Sequence, residues 1–337
     1  MTIRAYAAAK IGGRLEPFEY EPGALRRDEV EIVVDYCGLC HSDISMLDNA
    51  WGISEYPLVA GHEVVGKVSA LGEDVRHLSV GQTVGIGWCA RSCLACEHCR
   101  RGDHNLCASV EGIFGGGRHG GFADRVRVQA AWVNPLPPGL DVAKAGPLLC
   151  AGITVFNPLV QFDVRPTDRA GVVGIGGLGH VALKFLRAWG CEVTAFTTNP
   201  AKAGDALAMG AHHVAGSRDS EALKRLAGSL DFILVTVNVP LDWNAYLAAL
   251  RPRGRLHFVG AVLEPVPAPV FPLIVGQKSI SGTPTGGPAA IAAMLDFAAR
   301  HGIEPVTETC PLSKVNEAIE DLRAGKPRYR LVLDCRG

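Results

Sequence analysis

A chain of 337 residues with 48 % apolar side chains is too long for one ordinary hydrophobic core and has the apolar content to fill two. Its formal net charge of −1 leaves no cationic footprint for nucleic acid or an anionic membrane surface, so small diffusible ligands are the expected partners. The N-terminal stretch has no continuous apolar segment, and no uninterrupted apolar run reaches the roughly 18 residues a span requires, so secretion and membrane spanning are not indicated and a cytoplasmic location is expected.

The first third reads as β-structure punctuated by Gly and Pro. Glu29 to Tyr36, Glu63 to Gly72 and Phe122 to Val133 are short runs rich in β-branched residues, which suggests a barrel-like or irregular all-β unit. Between the second and third of these runs, the stretch RSCLACEHCRRGDHNLC places Cys93, Cys96, Cys99 and Cys107 in C-x2-C-x2-C-x7-C spacing. An odd total of eleven cysteines in a reducing compartment argues against a disulfide framework. Four thiolates can surround one ion tetrahedrally at about 2.3 Å and leave no position for substrate, so the cluster is expected to hold a structural zinc in an exposed lobe. An iron–sulfur cluster takes the same four thiolates, and spacing alone does not exclude it.

The texture changes after Asn134 to Asp141. From Ala170 apolar strands alternate with helical runs at Leu178 to Trp189, near Lys202 to Met209 and near Trp243 to Leu250, the mark of a parallel doubly wound sheet. Helices over Pro288 to His301 and Lys314 to Ala324 then precede a last strand, YRLVLD. Gly174, Gly176 and Gly179 stand in G-x-G-x-x-G spacing between strand and helix, where glycines make the tight turn, admit a pyrophosphate to the backbone and let helix and strand pack closely. The next strand ends in FTTNPAK, with no acid to bind a ribose 2′-hydroxyl. Thr197, Thr198, Asn199 and Lys202 suit a 2′-phosphate instead, so NADP(H) is the expected cofactor, while a Thr/Asn-lined site could still accept NAD.

Chemistry needs a metal with a vacancy. Cys40 in CGLCHSD, His62 in GHE and Cys150 in PLLCAG would form a Cys2His set with one exchangeable position, although their separation along the chain makes the grouping weak by itself. Here a resemblance enters. CGLCHSDI, YPLVAGHEVVGKVSALGEDV, the four-cysteine lobe, PLLCAGITVF, GVVGIGGLGHVALKF and the final YRLVLD together resemble the zinc-dependent medium-chain alcohol dehydrogenases, in order and over almost the whole chain. The match is nearest to the cinnamyl alcohol dehydrogenase branch and its bacterial aldehyde-reductase relatives.

The resemblance implies an α/β fold with two domains: a GroES-like β-rich catalytic domain of residues 1–150 and 286–337, bearing a structural-zinc lobe at 89–107, and a Rossmann nucleotide-binding domain with a doubly wound parallel sheet at 151–285. It implies two zinc ions per chain, the catalytic one held by Cys40, His62 and Cys150 with Glu63 as a neighbouring or transient ligand. Asp43 would orient His62, Ser42 would receive the alcohol proton, and His41 would lie near the cofactor pyrophosphate. A helix-start cap is the competing local reading of Ser42. Family members often carry a histidine where this chain has Ser45, and a hydroxyl cannot titrate near neutrality, so the last proton step is expected to use water or the cofactor ribose. Thr154 and Leu178 would approach the nicotinamide, Gly177 the cofactor at the glycine turn, and Arg330 the pyrophosphate. Trp51, Ile53, Trp88 and Cys89 are candidate pocket walls suited to aromatic or long-chain aldehydes. The implied reaction is hydride transfer between NADP(H) and a primary alcohol or aldehyde. A secondary alcohol or polyol dehydrogenase is the alternative within the class, and a non-catalytic zinc-binding interaction protein is the alternative outside it. A homodimer joined through an edge strand at Ser279 to Pro284 is also implied.

Overall fold

The computed structural model describes residues 1–337, which divide into two compact units, one of Met1–Ile153 with Thr285–Gly337 and the other of Thr154–Pro284. No single helix is long and apolar enough to cross a membrane.

The first unit is built on a seven-stranded sheet in which Glu29–Leu39 is central. Arg330–Asp334 and Glu63–Leu71 pair antiparallel with it, Arg125–Gln129 pairs with its first half, and Thr83–Ile86 continues from Glu63–Leu71. The register sets Gly38 opposite Glu63 and Leu39 opposite Leu331. This brings the end of one strand and the starts of two others together at one edge of the apolar core. The run expected as strand from Phe122 to Val133 pairs with the central strand only over Arg125–Gln129, bridges Ala5 at Ala123 and then tightens into a 3-10 turn at Ala130–Trp132. A two-stranded ribbon, Cys89–Arg91 with Glu111–Gly112, brackets the four-cysteine segment. Helices His41–Leu47, Pro288–His301 and Val315–Arg323 also belong to this unit, so it is β-rich and not all-β.

The second unit holds a six-stranded parallel sheet in the order His213–Gly216, Glu192–Thr197, Arg169–Val173, Leu230–Val235, Leu250–Phe258, Ser279–Gly282. Numbered by sequence this is 3-2-1-4-5-6, the dinucleotide-binding order, in which ligands sit beyond the carboxyl ends of the strands where the order reverses. The reversal falls between Arg169–Val173 and Leu230–Val235, so the glycine turn after Val173 lies at the switch point. The helix expected near Lys202 splits into a 3-10 turn at Pro200–Lys202, with Pro200 in its first turn, and an α-helix at Ala203–Ala208.

Candidate functional site

Cys40 follows the central strand and caps the helix His41–Leu47. Its sulfur accepts from Ser42 N at 3.3 Å, while its own amide donates to Asp43 Oδ2 at 2.9 Å, closing a capping box. The cap considered for Ser42 thus falls to Cys40; Ser42 is half-buried in the first turn and His41 is exposed. His62 immediately precedes the paired strand Glu63–Leu71. Cys150 follows a 3-10 turn, Gly146–Leu149, which reaches the sheet because three glycines yield space. A Cβ on Gly146 would stand 2.6 Å from Glu63 O, and one on Gly85 or Gly87 would collide with Leu149.

The result is a buried donor cluster. His62 Nε2 lies 3.3 Å from Cys40 Sγ and 3.2 Å from Cys150 Sγ, and with a Glu63 carboxylate oxygen all four donor atoms fall within 4.8 Å of one another. Asp43 Oδ1 lies 2.9 Å from His62 Nδ1 and accepts from Gly61 N at 2.9 Å. That carboxylate holds the imidazole proton on Nδ1 and leaves Nε2 free to ligate. Taken by themselves, these side chains titrate against one another. Desolvation disfavours charge on Cys40, but the Cys150 hydrogen bond and the His62 charge outweigh it and hold its thiol well below the ordinary range. Cys150 is pushed well up, first by Cys40 and then by burial.

Glu63 is wholly buried in space that a Cβ on Gly38 would occupy, and burial raises its pKa against the opposing charge of Arg330. Glu63 Oε1 accepts from the Arg330 guanidinium, while Glu63 Oε2 is buried without a partner. Two sulfurs, an imidazole nitrogen and a Glu63 carboxylate oxygen packed together form a donor set suited to zinc. Arg330, expected at the cofactor pyrophosphate, is 3 % exposed and spends its charge on Glu63.

Three aromatic rings adjoin the cluster. Trp88 crosses His62 at a centroid distance of 5.0 Å and Phe114 at 5.7 Å, and Trp51 meets Trp88 at 5.8 Å. Trp51 and Trp88 are half-buried. Ile53 is 60 % exposed, and Cys89 is buried with its thiol pushed up to about 12 by desolvation. Sequence reasoning did not single out Phe114; an Ile-Phe pair running into three glycines was the available signal.

In the lobe, the four sulfurs of Cys93, Cys96, Cys99 and Cys107 also lie within 4.8 Å of one another. Backbone amides point at them: Cys96 N to Cys93 Sγ at 3.3 Å, Cys99 N to Cys96 Sγ at 3.5 Å and Ser109 N to Cys107 Sγ at 3.4 Å. Amide donation favours thiolate, and hydrogen bonds from Ala95 and Cys96 lower the Cys93 pKa to about 6. The constellation suits a closed tetrahedral ion.

In the nucleotide unit, Gly174 takes φ +92, and a Cβ there would meet Val237 at 2.3 Å. A Cβ on Gly179 would stand 1.8 Å from Gly174 O, so helix and turn pack at a distance only glycine allows. Gly176 differs: its Cβ would meet nothing within 4 Å and its φ is ordinary. The chain itself gives no reason for that glycine, whereas a ligand pressed against the backbone does. Gly177 and Leu178 are half-buried in the same turn. His180, which sequence reasoning passed over, is fully buried and sets Nδ1 3.0 Å from Gly176 O. Lys202 Nζ donates to Ile175 O at 3.1 Å, which ties the end of the second strand to the turn. Thr198 is exposed, the Thr197 hydroxyl accepts from Asn199 N at 3.1 Å, and Asn199 Oδ1 caps Ala201 N at 3.0 Å. Thr154 is buried and donates to Pro284 O at 3.1 Å.

Comparison with known proteins agrees with this architecture. The family profile described as alcohol dehydrogenase GroES-like domain matches residues 26–138, and the one described as zinc-binding dehydrogenase matches residues 177–300. An aldehyde reductase of Synechocystis sp. is 55 % identical over 331 residues, 98 % of each chain. A solved cinnamyl alcohol dehydrogenase of Sorghum bicolor superposes with a TM-score of 0.95 at 38 % identity, covering 99 % of this chain and 98 % of that one. Another, from Helicobacter pylori and complexed with NADP(H), gives 0.90 at 30 % identity over 99 % and 98 %. This chain therefore belongs to the zinc-dependent medium-chain alcohol dehydrogenases, in the branch of the cinnamyl alcohol dehydrogenases and bacterial aldehyde reductases.

Proposed function

We propose that this chain is a zinc-dependent alcohol dehydrogenase working mainly as an NADP(H)-dependent reductase of primary aldehydes, aromatic or of medium length. The observation that carries the reading is the buried Cys40, His62, Cys150 cluster with Asp43 behind the imidazole. Those three side chains would hold the catalytic ion, with Glu63 beside them, and the four lobe cysteines would hold a structural one. When bound, the catalytic ion supplies Lewis acidity at the substrate oxygen and NADPH supplies the hydride. The protein's own part is to hold and to shield. Asp43 keeps the Nδ1 proton in place, the Ser42 hydroxyl exchanges the substrate proton, and Trp51 and Trp88 exclude water from one side. Ser45 cannot titrate near neutrality, so the outward proton step uses water or the cofactor ribose.

NADP(H) is favoured because the strand Glu192–Thr197 ends without an acid, with exposed Thr198 and the cation Lys202 nearby. The relative from Helicobacter pylori, complexed with NADP(H), supports the same choice. We further propose a cytoplasmic homodimer. All eleven cysteines are free, which suits a reducing compartment. Ser279–Gly282 is an open sheet edge, and the neighbouring helix Val270–Gly276 exposes Val270, Phe271, Ile274 and Val275, each by at least 65 %. Such a patch is unusual on a monomer.

The test is a panel of aldehydes and alcohols, among them a benzaldehyde and a polyol, assayed with NADPH and NADH before and after chelation. Aldehyde reduction with NADPH that stops on metal removal is the expected result. Turnover that survives complete zinc removal would sink the reading, and a preference for the polyol would redirect it within the family.

A further inference from the structure

The fully buried His62 has both ring nitrogens accounted for, Nδ1 by Asp43 and Nε2 by the two sulfurs. The rest of the ring meets two aromatic edges. Trp88 crosses it at 5.0 Å and 72°, Phe114 at 5.7 Å and 64°, and these two cross each other at 5.1 Å and 71°. The three rings form a closed triangle of edge-to-face contacts, each at a separation aromatic pairs prefer. Phe114 is 4 % exposed, and Trp88 is backed by Trp51 at 5.8 Å and 61°. After Phe114 come Gly115, Gly116 and Gly117, all at positive φ, so no side chain of the next three residues competes for the place its ring fills.

A metal-binding histidine needs such walls. Its χ2 torsion is broad, without the sharp staggered wells of an aliphatic side chain. The hydrogen bond to Asp43 restrains the ring but weakens only gradually over tens of degrees. A swing within that tolerance moves the ligand nitrogen by an appreciable part of an ångström, and a site about 1 Å too loose fails. The carboxylate alone therefore selects the tautomer without fixing the plane.

We propose that Phe114, braced by Trp88, is a positioning residue that fixes the imidazole plane of His62 at the metal site. The proposal rests on the zinc reading of Cys40, His62 and Cys150. Its action is on how firmly and with what geometry the ion is held, before any substrate is present.

The experiment uses the full-length zinc-loaded chain and its Phe114→Ala and Phe114→Leu variants. Zinc release to a chromogenic chelator is followed in time, with Cys150→Ala identifying which pool belongs to the His62 site and the lobe pool serving as internal control. The cobalt-substituted proteins supply a visible spectrum that reports ligand geometry. Phe114→Ala is expected to release the His62-site ion about 10–100-fold faster, to shift the cobalt bands and to lower kcat more than it changes KM, with the lobe pool unchanged. Phe114→Leu, which fills space without an aromatic edge, is expected to fall between. Release and spectrum like the wild type in Phe114→Ala would overturn the proposal, as would equal loss of both pools, the mark of a general loss of structure. If Cys150→Ala leaves the zinc content unchanged, the metal reading itself fails and the clamp falls with it.

Discussion

Asp43 Oδ1 stands 2.9 Å from His62 Nδ1, and neither side chain has any exposure to solvent. The same carboxylate accepts from Cys40 N and Gly61 N, each at 2.9 Å. One acidic residue in the first turn of a short helix thereby ties together the backbone of one candidate ligand, the imidazole of another and the turn between them. Sequence, local capping and site chemistry meet in that side chain.

Replacing Asp43 with Asn keeps the shape and removes one acceptor. An amide group must then face a buried donor, at a cost of about 1–3 kcal/mol. If that group faces His62, the imidazole proton moves to Nε2 and the ligating lone pair is lost. Zinc affinity at this site is expected to fall about 10–100-fold, with a lower melting temperature, by competitive chelator titration. An Asp43→Asn protein that binds zinc as tightly as the wild type would remove the orienting role.

The two cysteine sites are expected to fail differently. Cys150→Ala should abolish turnover and lower the zinc content from two ions to one per chain while the chain stays folded, because the strands around the site are paired along the length of Glu29–Leu39. Cys99→Ala should empty the lobe, whose hydrophilic residues have little apolar contact to hold them, and the chain should loosen or aggregate. Elemental analysis beside thermal unfolding separates the cases; reduction of aldehyde by the Cys150 variant at the wild-type rate would contradict the assignment.

How much of this was legible beforehand follows from how local each feature is. The four lobe cysteines declare themselves by spacing because one short loop carries them all, and the helix Pro288–His301 has its expected ends because Pro288 starts it and Gly302, at φ +61, stops it. Cys150 joins Cys40 and His62 only through close approaches at Gly85, Gly87 and Gly146, and no residue pattern announces those contacts. Resemblance supplied that grouping. Arg330 reads locally as one more cation before an apolar strand; its engagement with Glu63 comes from strand register, which sets Leu331 against Leu39 and Gly38 against Glu63. The helix Val270–Gly276 is apolar on its exposed side, and a hydrophobic run of that kind looks like core until the structure leaves it uncovered.

The glycine turn permits a paired test. Gly176→Ala places a methyl group in open space at an ordinary φ, so the chain should melt as before while NADPH binding weakens by tenfold or more, about 1.4 kcal/mol or above. Gly179→Ala drives a methyl into Gly174 O and should lower stability even without cofactor, by about 1–3 kcal/mol. Calorimetric titration with NADPH and thermal unfolding of both variants give the comparison. Unchanged NADPH affinity in Gly176→Ala would show that no ligand approaches that backbone.

The last prediction concerns acid. His257 is fully buried, with Nδ1 2.9 Å from Ser281 Oγ and Nε2 3.0 Å from Thr283 Oγ1, so it links the strand Leu250–Phe258 to the edge strand and the residue just beyond it. Phe162 and Phe232 lie against its ring at 5.0 and 5.9 Å. Burial first, and then the Arg255 guanidinium, lower its pKa from 6.5 to about 4. The folded chain therefore keeps the ring neutral where the unfolded chain takes up a proton. Above pH 6.5 both states are neutral and the residue adds no pH dependence. As the pH falls from about 6.5 to about 4 the unfolded state gains the proton first and stability drops, by about 3 kcal/mol once the folded value is passed. His257→Gln keeps one donor and one acceptor for the two hydroxyls but cannot titrate. Denaturant unfolding at pH 7.5 and pH 4.5 should show a smaller acid loss in the variant than in the wild type, since every other titrating group is common to both. Equal losses in the two proteins would mean that His257 takes up its proton at the same pH in the folded and unfolded chain, and the neutral bridge between the strands would have to be abandoned.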